Sequence, residues 1–220
     1  MELGKDLLYL SQAEVESLGM SMAEVVDLME VCFTEKGAGQ TEMPPKIGVF
    51  TRPNSLLHAM PAWFKRLDIA GLKWVGCYNE NKPKGFPKIT GLLVLNDADT
   101  GVPYAIMDSV WITAVRTGAV SGLSAKYLAR PESKIAGVIG AGIQGRTNLE
   151  ALLTVLPGLQ KVFVYDHRLS NSLRYVEEMR AKFDLEFVAT EDPYELVKDA
   201  DVIASCGPTV REREIAVIEK

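Results

Sequence analysis

From Lys134 to Asp166 the chain reads KIAGVIGAGIQGRTNLEALLTVLPGLQKVFVYD, and this stretch constrains the fold more than any other. Lys134 to Ile139 is a short apolar run ending at a glycine, the pattern of a strand buried in a parallel sheet. Gly140, Gly142 and Gly145 follow as an uninterrupted G-x-G-x-x-G. Leu149, Leu152, Leu153 and Leu156 then fall at helical spacing, and Pro157-Gly158 stops the helix. A second apolar run, Val162 to Tyr165, ends in Asp166, about 20 residues past the last glycine, where a ribose-binding acid is expected. Gly140 permits the tight strand-to-helix turn and Gly142 lets backbone approach a pyrophosphate. Gly145 lets the helix pack closely on the strand, so that the free N–H groups of the first helical turn face the phosphates. Asp166 can accept hydrogen bonds from both hydroxyls of an adenosine ribose. The motif, its strand, its helix and its acid are in register for an adenine dinucleotide; the alternative is a glycine-rich turn in an unrelated α/β protein.

The rest of the composition narrows the class. The 220 residues are 47% hydrophobic and 24% charged, with formal net charge -5. That is globular, and long enough for one large or two small domains. The mild acidity, with no basic cluster among aromatics, argues against a nucleic-acid partner. Cys32, Cys77 and Cys206 are far apart and lack metal-ligand spacing, so they read as reduced thiols of a cytoplasmic protein with no metal. Acidic residues come too early for a signal peptide, and no apolar run is long enough to span a membrane.

Taken in order, Leu7–Leu10 reads as a strand. Ser11 with Glu14, and Ser21 with Glu24, are capping boxes that start two helices. The second helix places Val25, Leu28, Met29 and Cys32 on one stripe and ends near Gly37 and Gly39. From Pro44 to Leu95 the period is two, with Ile47–Val49, Leu56–Ala59, Leu72–Val75 and Gly91–Leu95 as antiparallel strands. Asp97 to Gly101 is a hairpin turn, Pro103–Met107 a strand and Asp108–Leu128 a helix. After Asp166 come a helix from Ser172 to Lys182 on Leu173, Val176 and Met179, a strand at Leu185–Ala189, a helix capped by Asp192-Pro193, and a strand at Ala200–Ser205. The expected fold is α/β. A Rossmann-type doubly wound parallel sheet, incomplete at its C-terminus (129–220), follows a mixed α/β dimerisation and substrate domain (1–128). A sheet of this type continues with further strands, so the chain reads as an interrupted domain.

Four cations stand out against apolar or turn-forming neighbours: Lys46 after Met43-Pro44-Pro45, Lys73 within Gly71–Val75, Lys88 within Gly85–Thr90, and Arg116 within Thr113–Gly118. Buried without a partner, Lys73 would cost several kcal/mol, so facing inward it implies a partner or ligand; period two equally allows it a solvent-facing position. The small neighbours of Arg116 point to a functional role. Such cations suit the carboxylate of a small acid, with Arg binding bidentately and Lys as a point charge. His58 reads as a core or rim residue, and His167 is assigned no chemistry.

MPPK at Met43–Lys46, HAMPA at His58–Ala62, GLKWV at Gly71–Val75, GFPKITGLLVLNDADTGVP from Gly85, TAVRTGAVSGLSAKYLARP after Met107-Asp108, and GVIGAGIQG together resemble the ornithine cyclodeaminase / mu-crystallin family, which includes an archaeal type of alanine dehydrogenase. The resemblance implies a homodimer. It also implies two domains per subunit with the active site in the cleft between them. By resemblance, Lys46, Lys73 and Arg116 bind the substrate carboxylate. Gly140, Gly142, Ile143, Gln144, Gly145 and Asp166 hold NAD, with Arg116 also reaching the cofactor and Lys88 adding a positive charge near it.

The family chemistry begins with hydride transfer from an amino-acid α-carbon to the nicotinamide, leaving an imine. Hydrolysis of the imine gives an oxo acid. Attack by a side-chain amine, loss of ammonia and return of the hydride convert L-ornithine to L-proline. The first expectation is therefore an ornithine cyclodeaminase-like, NAD-dependent enzyme. Alanine dehydrogenase or another imine-forming activity is the alternative, and a non-catalytic mu-crystallin-like ligand-binding protein is a further one. The sequence departs from the family pattern in three places. His58 stands where cyclodeaminases often carry Glu, and Lys88 where many relatives have Thr. The family's catalytic aspartate falls beyond Lys220, so the 220 residues alone are expected to be inactive. Asp166 disfavours a 2′-phosphate and so favours NAD over NADP, although Arg168 could accept that phosphate if it turned inward.

Overall fold

A computed structural model describes residues 2–207, and the chain divides into two compact units. The first contains the chain up to Met20 and Glu30–Thr113; the second contains Ser21–Met29 and the chain from Ala114 onward.

The first unit begins with β1 (Leu8–Leu10) and α1 (Gln12–Ser17), whose capping box is formed: Ser11 and Glu14 satisfy each other's backbone N–H. Ser21 and Glu24 repeat the exchange at the start of α2 (Met22–Gly37). A seven-stranded sheet follows, built from β1, β2 (Thr41–Glu42), β3 (Ile47–Arg52), β4 (Ser55–Phe64), β5 (Ile69–Tyr78), β6 (Ile89–Asp97) and β7 (Pro103–Asp108). Its order is β1-β7-β6-β5-β4-β2, with β3 also on β4; every pairing is antiparallel except β1 with β7. The strands are longer than the alternating runs that announce them. β4 continues through Pro61 because its outer edge there lies between the ladders to β3 and β2, where no partner requires an N–H. A 3-10 turn at Asn79–Lys84 links β5 to β6, and the Asp97–Gly101 turn links β6 to β7, with the Asp97 carboxylate accepting from the N–H and hydroxyl of Thr100.

The second unit holds a four-stranded parallel sheet of β8 (Ile135–Ile139), β9 (Lys161–Tyr165), β10 (Glu186–Thr190) and β11 (Val202–Ser205). The order β10-β9-β8-β11 runs outward from β8 in both directions, so the chain reverses at β8, and the carboxyl end of β8 is where a doubly wound sheet takes its ligand. Connecting helices are α4 (Ile143–Val155), α5 (Leu169–Arg180) and α6 (Pro193–Asp199); α3 (Val110–Leu128) precedes the sheet and, like α2, contributes residues to both units. Val138, Leu149, Val162, Val164, Tyr175 and Phe187 form the main core. Residues 208–220, the end of the expected second domain, lie outside the described residues.

Two helix stripes differ from expectation. On α2 the buried face is Met22, Val25 and Val26, with Met29 packed against it, and Leu28 is exposed. The helix carries two apolar stripes at i, i+3, i+4, i+7 spacing, and packing selects the one that starts three positions earlier. On α5, which starts at Leu169 rather than Ser172, Leu173 is exposed and Tyr175 is buried with Ser172, Val176 and Met179. Tyr175 can occupy the core because its hydroxyl donates to Gly145 O at 3.0 Å.

Candidate functional site

The glycine-rich turn leaves β8 and enters α4. Gly140 has φ +101°, and a Cβ there would meet the backbone of Cys206 at 2.8 Å, so both conformation and space exclude a side chain. A Cβ on Gly145 would come 2.2 Å from Gly140 O. Gly142 is different: nothing lies within 4 Å of its Cβ position, and it caps α4 without a side-chain hydrogen bond. The N–H groups that begin α4 have no intrahelical acceptors and carry the positive end of the helix dipole. Ile143 is exposed, and the Gln144 side chain lies against the amide of Asn148.

Asp166, at the tip of β9, points at this turn. Its Oδ2 accepts from Ala141 N–H at 3.0 Å; its Oδ1 accepts from Asn171 Nδ2 at 2.9 Å and Arg168 N–H at 3.1 Å, with His167 Nδ1 also at 3.1 Å. The side chain is only 11% exposed. Burial alone would raise its pKa. Hydrogen bonds from Asn171, Ala141 and Arg168, with the neighbouring His167, outweigh burial and hold it below the usual carboxylate range. One acceptor position remains on Oδ2, because each carboxylate oxygen offers two lone pairs.

Arg116 sits in the second turn of α3. Its Nε is buried with no hydrogen-bond partner among the described residues, and burial depresses its pKa. An arginine stays charged regardless, so an anion at this position would satisfy both the orphan donor and the charge. Arg116 belongs to the second unit, whereas Lys46, Lys73 and Lys88 belong to the first.

Within the first unit, strand register decides which cations share a face. Lys73 on β5 lies opposite Met60 on β4 and Leu93 on β6, and His58 lies opposite Val75, so Lys73 and His58 occupy the same face. Lys73 is half-buried while its neighbour Trp74 is more open on the opposite face. Lys46 is exposed, immediately before β3, whose Gly48 pairs with His58. His58 Nδ1 lies 3.4 Å from Ile47 O. Lys88 is exposed at the start of β6, its carbonyl accepting from Tyr78 N–H. Among the described residues no group of three or more His, Cys, Asp or Glu is placed to hold a metal ion, and no helix is long and apolar enough to cross a membrane.

The matching family model is the ornithine cyclodeaminase/mu-crystallin family, and it spans residues 5–219. The chain belongs to that family. Alanine dehydrogenase of Archaeoglobus fulgidus is 38% identical over 204 residues, covering 93% of this chain and 61% of that protein. A solved archaeal alanine dehydrogenase dimer with bound NAD is 36% identical with TM-score 0.83, covering 90% of this chain and 60% of that one. Thermococcus litoralis Delta(1)-pyrroline-2-carboxylate reductase, solved with NADH and L-proline, is 38% identical with TM-score 0.86, covering 90% and 61%. A lysine cyclodeaminase structure described as recognising L-lysine, L-ornithine and L-2,4-diaminobutyric acid is 29% identical with TM-score 0.84, covering 95% and 62%. The chain thus spans about three fifths of these family members.

Sequence reasoning missed the side chains that brace the turn: Arg146, Tyr175 and Asn171. Arg146 did carry a signal, because a cation in the first turn of a helix opposes the dipole and calls for a local counterpart. For Tyr175 and Asn171 the contacts are long-range and leave no periodic trace.

Proposed function

We propose that the whole protein is an NAD-dependent enzyme of amino-acid metabolism that moves a hydride between the cofactor and the α-carbon of a small amino acid or its imine. The observation that carries this reading is the Asp166 carboxylate docked on Ala141 N–H beside Gly142, a glycine whose side-chain position is open. An uncapped α4 N-terminus with an unfilled approach at Gly142 fits a pyrophosphate, and Asp166 with one acceptor position free fits a ribose hydroxyl. When bound, NAD supplies a hydride acceptor or donor at the α-carbon, interconverting amine and imine. The peptide N–H groups at the start of α4 bind the phosphates, Gly142 admits them, and Asp166 orients the ribose. Family resemblance gives a substrate-carboxylate role to Arg116, whose orphan Nε suits an anion, and to Lys46 and Lys73 of the first unit, and makes Lys88 an additional positive charge. A fixed carboxylate clamp holds the α-carbon for transfer, which is a proximity effect. The proposed division of labour assigns substrate binding and dimerisation to 1–128 and NAD binding to 129–220, in a cytoplasmic homodimer.

Two outcomes share that first step. A dehydrogenase or imine reductase is supported by the 36–38% identity to alanine dehydrogenases and to a pyrroline-carboxylate reductase, and by His58 in place of an acid. Cyclisation of L-ornithine to L-proline is the second reading, supported by the cyclodeaminase neighbour. Full-length protein incubated with NAD and either L-alanine or L-ornithine separates them. Stoichiometric NADH with an oxo acid or imine identifies the oxidoreductase, and proline with ammonia at constant NADH identifies the cyclodeaminase. No turnover of either amino acid, nor of a cyclic imine with NADH, would remove both.

A further inference from the structure

Almost every hydrogen of the Arg146 guanidinium is engaged. Its Nη1 donates to the carbonyls of Ala141 at 2.7 Å and Gly142 at 2.9 Å. Its Nε donates to Glu178 Oε2 at 2.9 Å, and Nη2 donates to the same oxygen. The guanidinium also lies 4.9 Å from the ring centroid of Tyr175, whose hydroxyl is bonded to Gly145 O. Among the described residues no peptide bond is cis, and a trans peptide directs its C=O and N–H oppositely. Drawing the Ala141 and Gly142 carbonyls to one guanidinium therefore turns the N–H groups of Gly142 and Ile143 the other way. The preceding N–H, of Ala141, is held by Asp166. Two successive peptide groups of the turn are thus oriented by side chains alone, and the third, whose Gly142 carbonyl also accepts the Arg146 N–H at 3.3 Å as the first bond of α4, by side chain and helix together.

We propose that Arg146, held by Glu178, is a positioning residue that aims the N–H groups of Gly142 and Ile143 at a dinucleotide pyrophosphate without being a phosphate ligand. The inference rests on the NAD-binding reading above. A planar fork can span two adjacent carbonyls and a carboxylate at once; a lysine ammonium cannot. Glu178 fixes the fork and neutralises its charge, and Arg146 in turn lowers the Glu178 pKa.

A simple charge effect makes opposite predictions, which gives the test its direction. NADH titration of the full-length protein is compared for wild type, Arg146→Lys and Glu178→Gln. If Arg146 acts by attracting phosphate, Arg146→Lys binds as wild type and Glu178→Gln, which removes a nearby negative charge, binds tighter. If it acts by positioning, Arg146→Lys weakens NADH binding about tenfold or more and Glu178→Gln weakens it a few-fold, as expected for lost charge-assisted hydrogen bonds. Adenosine, which carries no phosphate, is run as a competitor; its affinity stays within about twofold across the set, a split that general loosening would not produce. Wild-type NADH affinity in Arg146→Lys, or tighter binding in Glu178→Gln, overturns the proposal. Should Arg146→Lys fail to fold, Glu178→Gln carries the sign test alone. Failure of the unaltered protein to bind NADH removes the dinucleotide reading itself, and with it the role given to Arg146.

Discussion

Gly142 differs from Gly140 and Gly145 in what a side chain would meet. At the other two positions backbone atoms lie 2.8 and 2.2 Å from a Cβ, so the fold requires glycine there. At Gly142 the space is open and φ is -90°, a value any residue adopts. A glycine that the fold does not need is evidence for something that approaches from outside. Gly142→Ala should therefore lower the melting midpoint by no more than about 4 °C, since alanine is a poorer N-cap than glycine but meets no neighbour there. The same change should weaken NADH binding about tenfold or more by standing between the backbone and a phosphate. Thermal denaturation and an NADH titration on one preparation check both halves. An alanine variant that binds as tightly as wild type would show that nothing approaches Gly142 closely.

At the scale of elements, α3 and α4 are brought together by glycine. A Cβ on Gly118 would lie 2.4 Å from the Thr147 carbonyl oxygen, and one on Gly122 would lie 2.9 Å from Ala151 Cβ. In an exposed helix, glycine to alanine gains up to about 1 kcal/mol. At Gly118 overpacking against backbone wins, and Gly118→Ala should destabilise by about 2 kcal/mol. Gly37, in α2 with nothing within 4 Å, should show the opposite sign when changed to Ala. Chemical denaturation of the two variants gives both values; two shifts of the same sign would contradict the packing argument. This pair also shows what the sequence discloses. The small residues around Arg116 invite a functional reading, yet Gly118, Ala119 and Gly122 are small because α4 and α2 press on them. Arg116 itself remains informative, because its Nε is orphaned within that packing. Strands, capping boxes, the βαβ unit and the docking of Asp166 on the glycine turn are legible because each follows from spacing within one segment. Stripe choice on α2 and α5, the passage of β4 through Pro61, and the Arg146–Glu178 brace depend on partners distant in sequence, and spacing cannot supply those.

At the scale of the molecule, the sheet of the first unit has two unlike faces. One carries His58, Met60, Lys73 and Leu93, with Val75 and Ala105 buried. On the other, register aligns Ile47, Ala59, Trp74 and Leu92 in one row across four strands, flanked by Val49, Leu57, Leu72 and Val94. Ile47 is 71% exposed, Val49 56%, Leu92 39% and Trp74 38%. A contiguous apolar surface of this kind suits an interaction site, and the homodimer proposed above would place on it the same face of a second copy, related by a two-fold axis. Burying about 800 Å² per partner, the usual size of a stable interface, would cover these side chains. Lysine is tolerated in edge strands but opposes like charge across a two-fold interface. The double change Ile47→Lys with Val49→Lys, on the β3 edge and outside the proposed catalytic groups, should convert a dimer to folded monomer. Sedimentation equilibrium at micromolar concentration would report one chain mass for the variant and two for wild type, with circular dichroism unchanged. A wild-type protein that sediments as a single chain, or a variant that remains dimeric, would mean that this face meets something other than its own copy.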